Sequence, residues 1–149
     1  MSAAPTQFQN GLCLAPEQGG GPLCLATLHY RRRWRDYRTP SGRRPVRDFL
    51  ETLPDADAAE VLAAMKEVRL EGLRTARHLR GDIYEVRAES QTQAFRVLFA
   101  AEGFYGQVLL ALEGFSKKTQ KTPRRFLELA ERRLRDWRER GRLERGGDS

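Results

Sequence analysis

Only four of the 27 basic side chains in this 149-residue chain are lysine: Lys66, Lys117, Lys118 and Lys121. Three of these fall within one stretch, FSKKTQKTP, residues 115–123. The choice has chemical weight. Arginine keeps its proton at neutral pH and grips phosphate through a fork of donors, whereas lysine yields a proton once like charges lower its pKa. A lysine cluster beside arginines therefore suits work on a phosphodiester. Cleavage of RNA needs neither a metal nor a protein nucleophile, because the neighbouring 2′-OH attacks the phosphorus. The protein must align that attack, take the 2′-OH proton, stabilise the phosphorane and protonate the 5′-oxygen. Two arginines are placed to help. In DIYEVRAES and QAFRVLFAAE, period-2 alternation sets Arg87 and Arg96 on the faces opposite Tyr84, Val86, Phe95, Val97 and Phe99. An antiparallel meander would bring both arginines and loop 117–121 to one side of a sheet, as a cationic pocket with few acids to neutralise it. The candidate catalytic residues are Arg87, Arg96, Lys117 and Lys118. Arg80, His78, Lys121 and Arg124 are the candidate RNA contacts.

Plainer uses compete. The lysines can belong to a solvated loop, and Arg87 and Arg96 can pair with Glu85 and Glu113 across strands. His29 reads as a structural residue of an edge strand. His78 precedes the first meander strand at the pocket rim and reads better as a surface imidazole than as a general base. Cys13 and Cys24 lack CxxC spacing and a histidine cluster, so inert thiols in a reducing compartment are expected, with no metal and no cofactor. No Gly-rich phosphate loop, HExxH or Ser/His/Asp spacing points to another enzyme class.

The positioning elements follow from periodicity. Residues 1–24 are rich in Gly, Pro, Ala and Gln without pattern, and a disordered tail is expected there. ATLHYRRRWRDYR, with Leu28, Tyr30 and Trp34 in one parity, predicts an edge strand, and TPSG a turn. Pro45 opens a helix and Pro54 breaks the pattern. Asp55 or Asp57 is placed to cap a second helix, whose inward stripe is Ala58, Val61, Leu62, Met65 and Val68, ending at Gly72. Three strands follow. The last, GQVLLALEGF, is apolar on both faces up to Glu113 and is expected to be central. Thr122 and Pro123 suit the start of a final helix with Phe126, Ala130, Leu134 and Trp137 inward, and a disordered tail from 141. The order β-α-α-β-β-β-α predicts a single α+β domain over residues 25–140.

Composition agrees with a charged, polyanion-binding protein. Net charge is +7 and the sequence pI about 10.0, which favours RNA, DNA, a ribosome or an acidic protein. Arginine bias in a GC-rich genome accounts for part of the count, though not for its placement. No apolar run approaches the ~20 residues of a membrane span, and nothing reads as a secretory signal. A cytoplasmic location is expected.

YRTPSGRRPVRDFLETLP, LRGDIYEVR, FRVLFA and LLALEGFSKKTQKTP, in that order and with natural spacing over residues 34–137, resemble the phage-related HigB-type branch of the RelE/ParE toxin superfamily. The resemblance implies a RelE-like fold: a small twisted antiparallel sheet with two N-terminal helices and a C-terminal helix. It implies the toxin of a type II toxin–antitoxin pair, an mRNA interferase that cleaves messenger RNA in the A site of the 70S ribosome. A cognate helix-turn-helix antitoxin would hold it inactive. Arg87 matches an active-site strand arginine of RelE-like nucleases, Arg96 the arginine of the next strand, and Lys117 and Lys118 the basic end of the last strand. Two positions differ from the pattern: the final helix has Trp137 where relatives often have a late tyrosine, and His78 stands where lysine often precedes LRG. The same superfamily also contains ParE-like inhibitors of DNA gyrase, and a non-toxic phage-derived accessory protein is a third alternative.

Overall fold

A computed structural model describes residues 31–118 and 121–146 of the chain. The expected tail at 1–24, His29, both cysteines and the last three residues lie outside the described residues. Residues from Arg32 onward form one compact unit. Strand β1 (Arg33–Asp36) leads to helices α1 (Pro45–Glu51) and α2 (Asp55–Glu71). Strands β2 (Arg77–Arg80), β3 (Ile83–Glu89), β4 (Ala94–Glu102) and β5 (Val108–Lys117) follow, and helix α3 (Arg124–Gly146) closes the chain. The architecture is α+β, as the element order predicts. Helix α3 continues past the expected boundary at 140, reaching Gly146.

The five strands lie in the order β1-β5-β4-β3-β2. Strands β2 to β5 are an antiparallel meander, but β1 runs parallel to β5, with Trp34 opposite Leu109. The sheet is therefore mixed. Alternation cannot encode strand direction; the route over α1 and α2 to the far edge sets it, because the meander then returns with β5 pointing the same way as β1. The short strand β2 lies in RTARHLR, which has no clean alternation. Two-sided apolarity also misplaces the centre of the sheet. Strand β4 is central, and β5 is apolar on both faces because helices cover both.

Those helices make two cores. On one face α1 and α2 enclose Val61, Met65, Val68, Val86, Phe95, Val97, Phe99 and Leu109. On the other, α3 brings Ala130 and Leu134 onto Ile83, Leu98, Leu110, Leu112 and Phe115, with Phe126 and Trp137 alongside, as the stripe predicts. Phe126 stacks on Phe115 with centroids 4.1 Å apart. Trp34 donates from Nε1 to the Met65 carbonyl at 2.7 Å, which ties the edge strand to α2.

Most local signals hold, though Pro123, expected at the first position of the last helix, lies just before its first residue, Arg124. Pro45 begins α1, and Gly72 ends α2 at φ +96°, a region only glycine enters without strain. Leu62, expected inward, is exposed. Neither Asp55 nor Asp57 caps α2 through its side chain. Pro54 holds the cap position and both acids sit in the first turn, where they favour the helix dipole.

Candidate active site

Residues on β3, β4 and β5 meet on the α3 face of the sheet. Arg87 lies directly opposite Arg96, Arg96 opposite Phe115, and Ala94 opposite Lys117. The meander thus brings Arg87, Arg96 and Lys117 together, as expected. On β2, Arg77 stands opposite Glu85 and joins them.

Burial distinguishes the cations. The Arg87 side chain is 43% exposed and can meet a ligand. Arg96 is buried, donating from Nη1 to its neighbour Phe95's carbonyl at 2.8 Å, and burial lowers its pKa against the opposing attraction of Glu85. Lys117 is 6% exposed. Burial depresses its pKa; Glu85 opposes the shift, and Arg96, Arg87 and Arg77 add to it. Desolvation and the neighbouring arginines thus act in the same direction on Lys117, the direction that eases loss of its proton.

The pocket is not short of acid. Glu85 is fully buried among the cations, with Oε1 at 3.1 Å from Arg87 Nε and 3.7 Å from Arg96 Nε. Its Oε2 accepts a hydrogen bond from the Thr122 hydroxyl. Thr122 is thereby drawn to β3, and α3 starts at Arg124 behind Pro123. Glu113, the other acid weighed as a partner, pairs instead with Arg133 of α3 at 3.3 Å. Glu85 was legible: alternation puts it on the Arg87 face, two residues away. Arg77 was not, since β2 carries no clear strand pattern.

The remaining candidates disperse. Lys118 lies one residue beyond β5 and is exposed, so only Lys117 of the adjacent pair is buried against the sheet. Lys121 lines a separate cleft with Arg80, Arg124, Thr122, Pro123 and Leu127. There Arg80 makes a two-pronged contact with Glu131, at 2.9 and 2.6 Å, and Arg124 pairs with Glu128 at 2.7 Å. His78 is not at the rim. Its cross-strand partner is Tyr84, its ring lies 5.1 Å from that ring on the α1–α2 side, and its Nε2 contacts the Gly81 carbonyl at 2.8 Å. Among the described residues no group of three or more His, Cys, Asp or Glu could hold a metal ion, and no helix is long and apolar enough to cross a membrane.

A sheet with two helices on one face and a basic C-terminal helix on the other, holding buried arginine and lysine at the end of the meander, is a RelE-like fold. The family model for phage derived protein Gp49-like (DUF891) matches residues 48–135. The "Probable endoribonuclease HigB1" of Mycobacterium tuberculosis, from strains CDC 1551 / Oshkosh and ATCC 25618 / H37Rv, is 34% identical over 107 residues, which cover 70% of this chain and 83% of that protein. The chain belongs to the phage-derived Gp49-like family and is of the HigB type. The matched span includes α2, the whole meander and the first half of α3, and so contains every residue of the pocket.

Proposed function

We propose that the protein is the toxin of a type II toxin–antitoxin pair, an endoribonuclease that cleaves messenger RNA in the ribosomal A site without a metal. The observation that carries this reading is Lys117: a buried lysine, its pKa lowered, beside Arg77, Arg87 and Arg96 on a rigid sheet. The name of the Mycobacterium relative supports the RNase activity. In the reaction the 2′-oxygen bonds to phosphorus, the bond to the 5′-oxygen breaks, and a 2′,3′-cyclic phosphate and a 5′-OH result. Arg87 holds the non-bridging oxygens as negative charge builds on the phosphorane. Arg96 supports it from below. Lys117 exchanges a proton with the 2′-OH or the 5′-oxygen. The exposed Lys118, Lys121 and Arg124 steer the RNA backbone. The partners are the 70S ribosome, mRNA and a helix-turn-helix antitoxin, and the site of action is the cytoplasm.

Controlled expression of the protein alone, followed by mapping of transcript 5′ ends, tests the reading. Codon-phased cuts within translated regions, absent from the Lys117→Ala variant, are expected. Growth arrest with intact transcripts and damaged DNA would instead indicate a ParE-like action on gyrase.

A further inference from the structure

The chemistry above makes no use of Glu85, the one wholly buried carboxylate among the described residues. An ion removed from water is costly unless well paired, and a site meant only to collect phosphate gains nothing from an internal anion that competes for its arginines. The contacts of Glu85 answer this. It holds Arg87 through Nε, which leaves both Nη groups of a half-exposed guanidinium for a phosphate. It lies under Arg96 on the next strand. Its second oxygen accepts from Thr122, four residues beyond Lys118 and just before α3. Lys117 is thus held by the β4–β5 ladder, and Thr122 by a carboxylate on β3.

We infer that Glu85 is a positioning residue of the nuclease site: it aims Arg87 at the scissile phosphate and anchors Thr122, ahead of α3, against β3. The inference rests on the endoribonuclease reading. A second consequence follows from charge. The groups bearing on Lys117 are Arg77 from β2, Glu85 and Arg87 from β3 and Arg96 from β4, while the segment entering α3 presents the neutral Thr122 to Glu85. Of these four groups Glu85 carries the negative charge. It opposes the fall in the Lys117 pKa that burial and the arginines cause, so loss of its charge should lower that pKa further.

Two variants of the full chain test this. Glu85→Gln keeps the shape and an oxygen acceptor while removing the charge. Thr122→Val keeps the charge and removes the anchor. Cleavage on programmed ribosomes is measured across pH, with NMR titration of the Lys117 ammonium and the affinity for an RNA carrying 2′-deoxyribose at the scissile position. For Glu85→Gln, kcat is expected to fall by about 10²-fold, and both the pH–rate limb and the Lys117 titration should move to lower pH. A merely structural role would not move that limb. For Thr122→Val, kcat falls with the limb in place. Wild-type kcat in folded Glu85→Gln, or an unmoved Lys117 titration, overturns the role of Glu85; wild-type kcat in Thr122→Val overturns the anchor. If the unaltered protein cuts no RNA, the endoribonuclease reading fails by itself. The Lys117 titration and the affinity for the uncleavable RNA then still decide whether Glu85 organises the cations: loss of affinity and a shifted titration support it, and neither changing overturns it.

Discussion

At the scale of single residues, Lys117 and Lys118 separate cleanly. They are neighbours of one type, yet one is buried among cations and the other is exposed. Lys117→Met should abolish cleavage and stabilise the fold, while Lys118→Met should keep most activity and leave stability unchanged. The sign follows from linkage. The native Lys117 binds its proton less tightly than the unfolded chain does, so charging it costs folding energy most fully below its native pKa. That cost is relieved as pH rises from the native pKa toward the unfolded lysine range. At pH 7 the methionine variant escapes it, with a gain of about 1 kcal/mol, read as a higher Tm. A lower Tm would show that the contacts of Lys117 outweigh its desolvation. Arg87 and Arg96 were legible because strand alternation assigns faces, whereas Lys117 was expected in a loop and is instead the last residue of β5. The split between Lys117 and Lys118 was not legible, because it depends on where β5 ends and what α3 covers.

At the scale of elements, α1 packs on β5 through one close approach. A Cβ built on Gly114 would lie 2.5 Å from Phe49 Cδ2. Gly114→Ala must therefore push α1 away or bend β5, and a loss of about 1–3 kcal/mol is expected by chemical denaturation. Gly114 is three residues from Lys117, so a bent β5 should also lower cleavage. An unchanged midpoint would mean that the Phe49 ring yields without cost. The β4–β5 pairing also slips once, between Leu98 and Phe99. The slip leaves Leu112 in the α3-side core and Glu113 beside Arg133 of the same helix. Helix and strand existence followed from the periods of 3.6 and 2. The parallel pairing of β1, the short β2 and this slip did not, since each records which strand is the neighbour.

At the scale of the whole molecule, the two helical layers share one sheet, and the net charge of +7 is spread over it. Much of the arginine is already engaged. Arg138 binds Glu102 and Asp82, Arg140 binds Asp136, and Arg80 binds Glu131. RNA binding should therefore depend on salt far less than the total charge suggests. If the six cations Arg77, Arg87, Lys117, Lys118, Lys121 and Arg124 meet phosphates, the logarithm of affinity for single-stranded RNA should fall with the logarithm of salt at a slope of about −4. A slope near −7 in a salt titration would place the RNA across the broad surface instead.

Taken alone, the amino-acid sequence determined the α+β class, the helices, the meander, the family and the face on which Arg87 and Arg96 stand. All of these are local, because a period or a motif is written in adjacent residues. Only the tertiary structure decided the parallel edge strand, the burial of Lys117, the turning away of His78 and the placing of Glu85 against both Arg96 and Thr122. Those depend on residues far apart in the chain, Glu85 and Thr122 being separated by 37 positions. The proton affinity of a side chain is set by whatever packing brings within a few ångströms of it, and no spacing in the sequence records that distance.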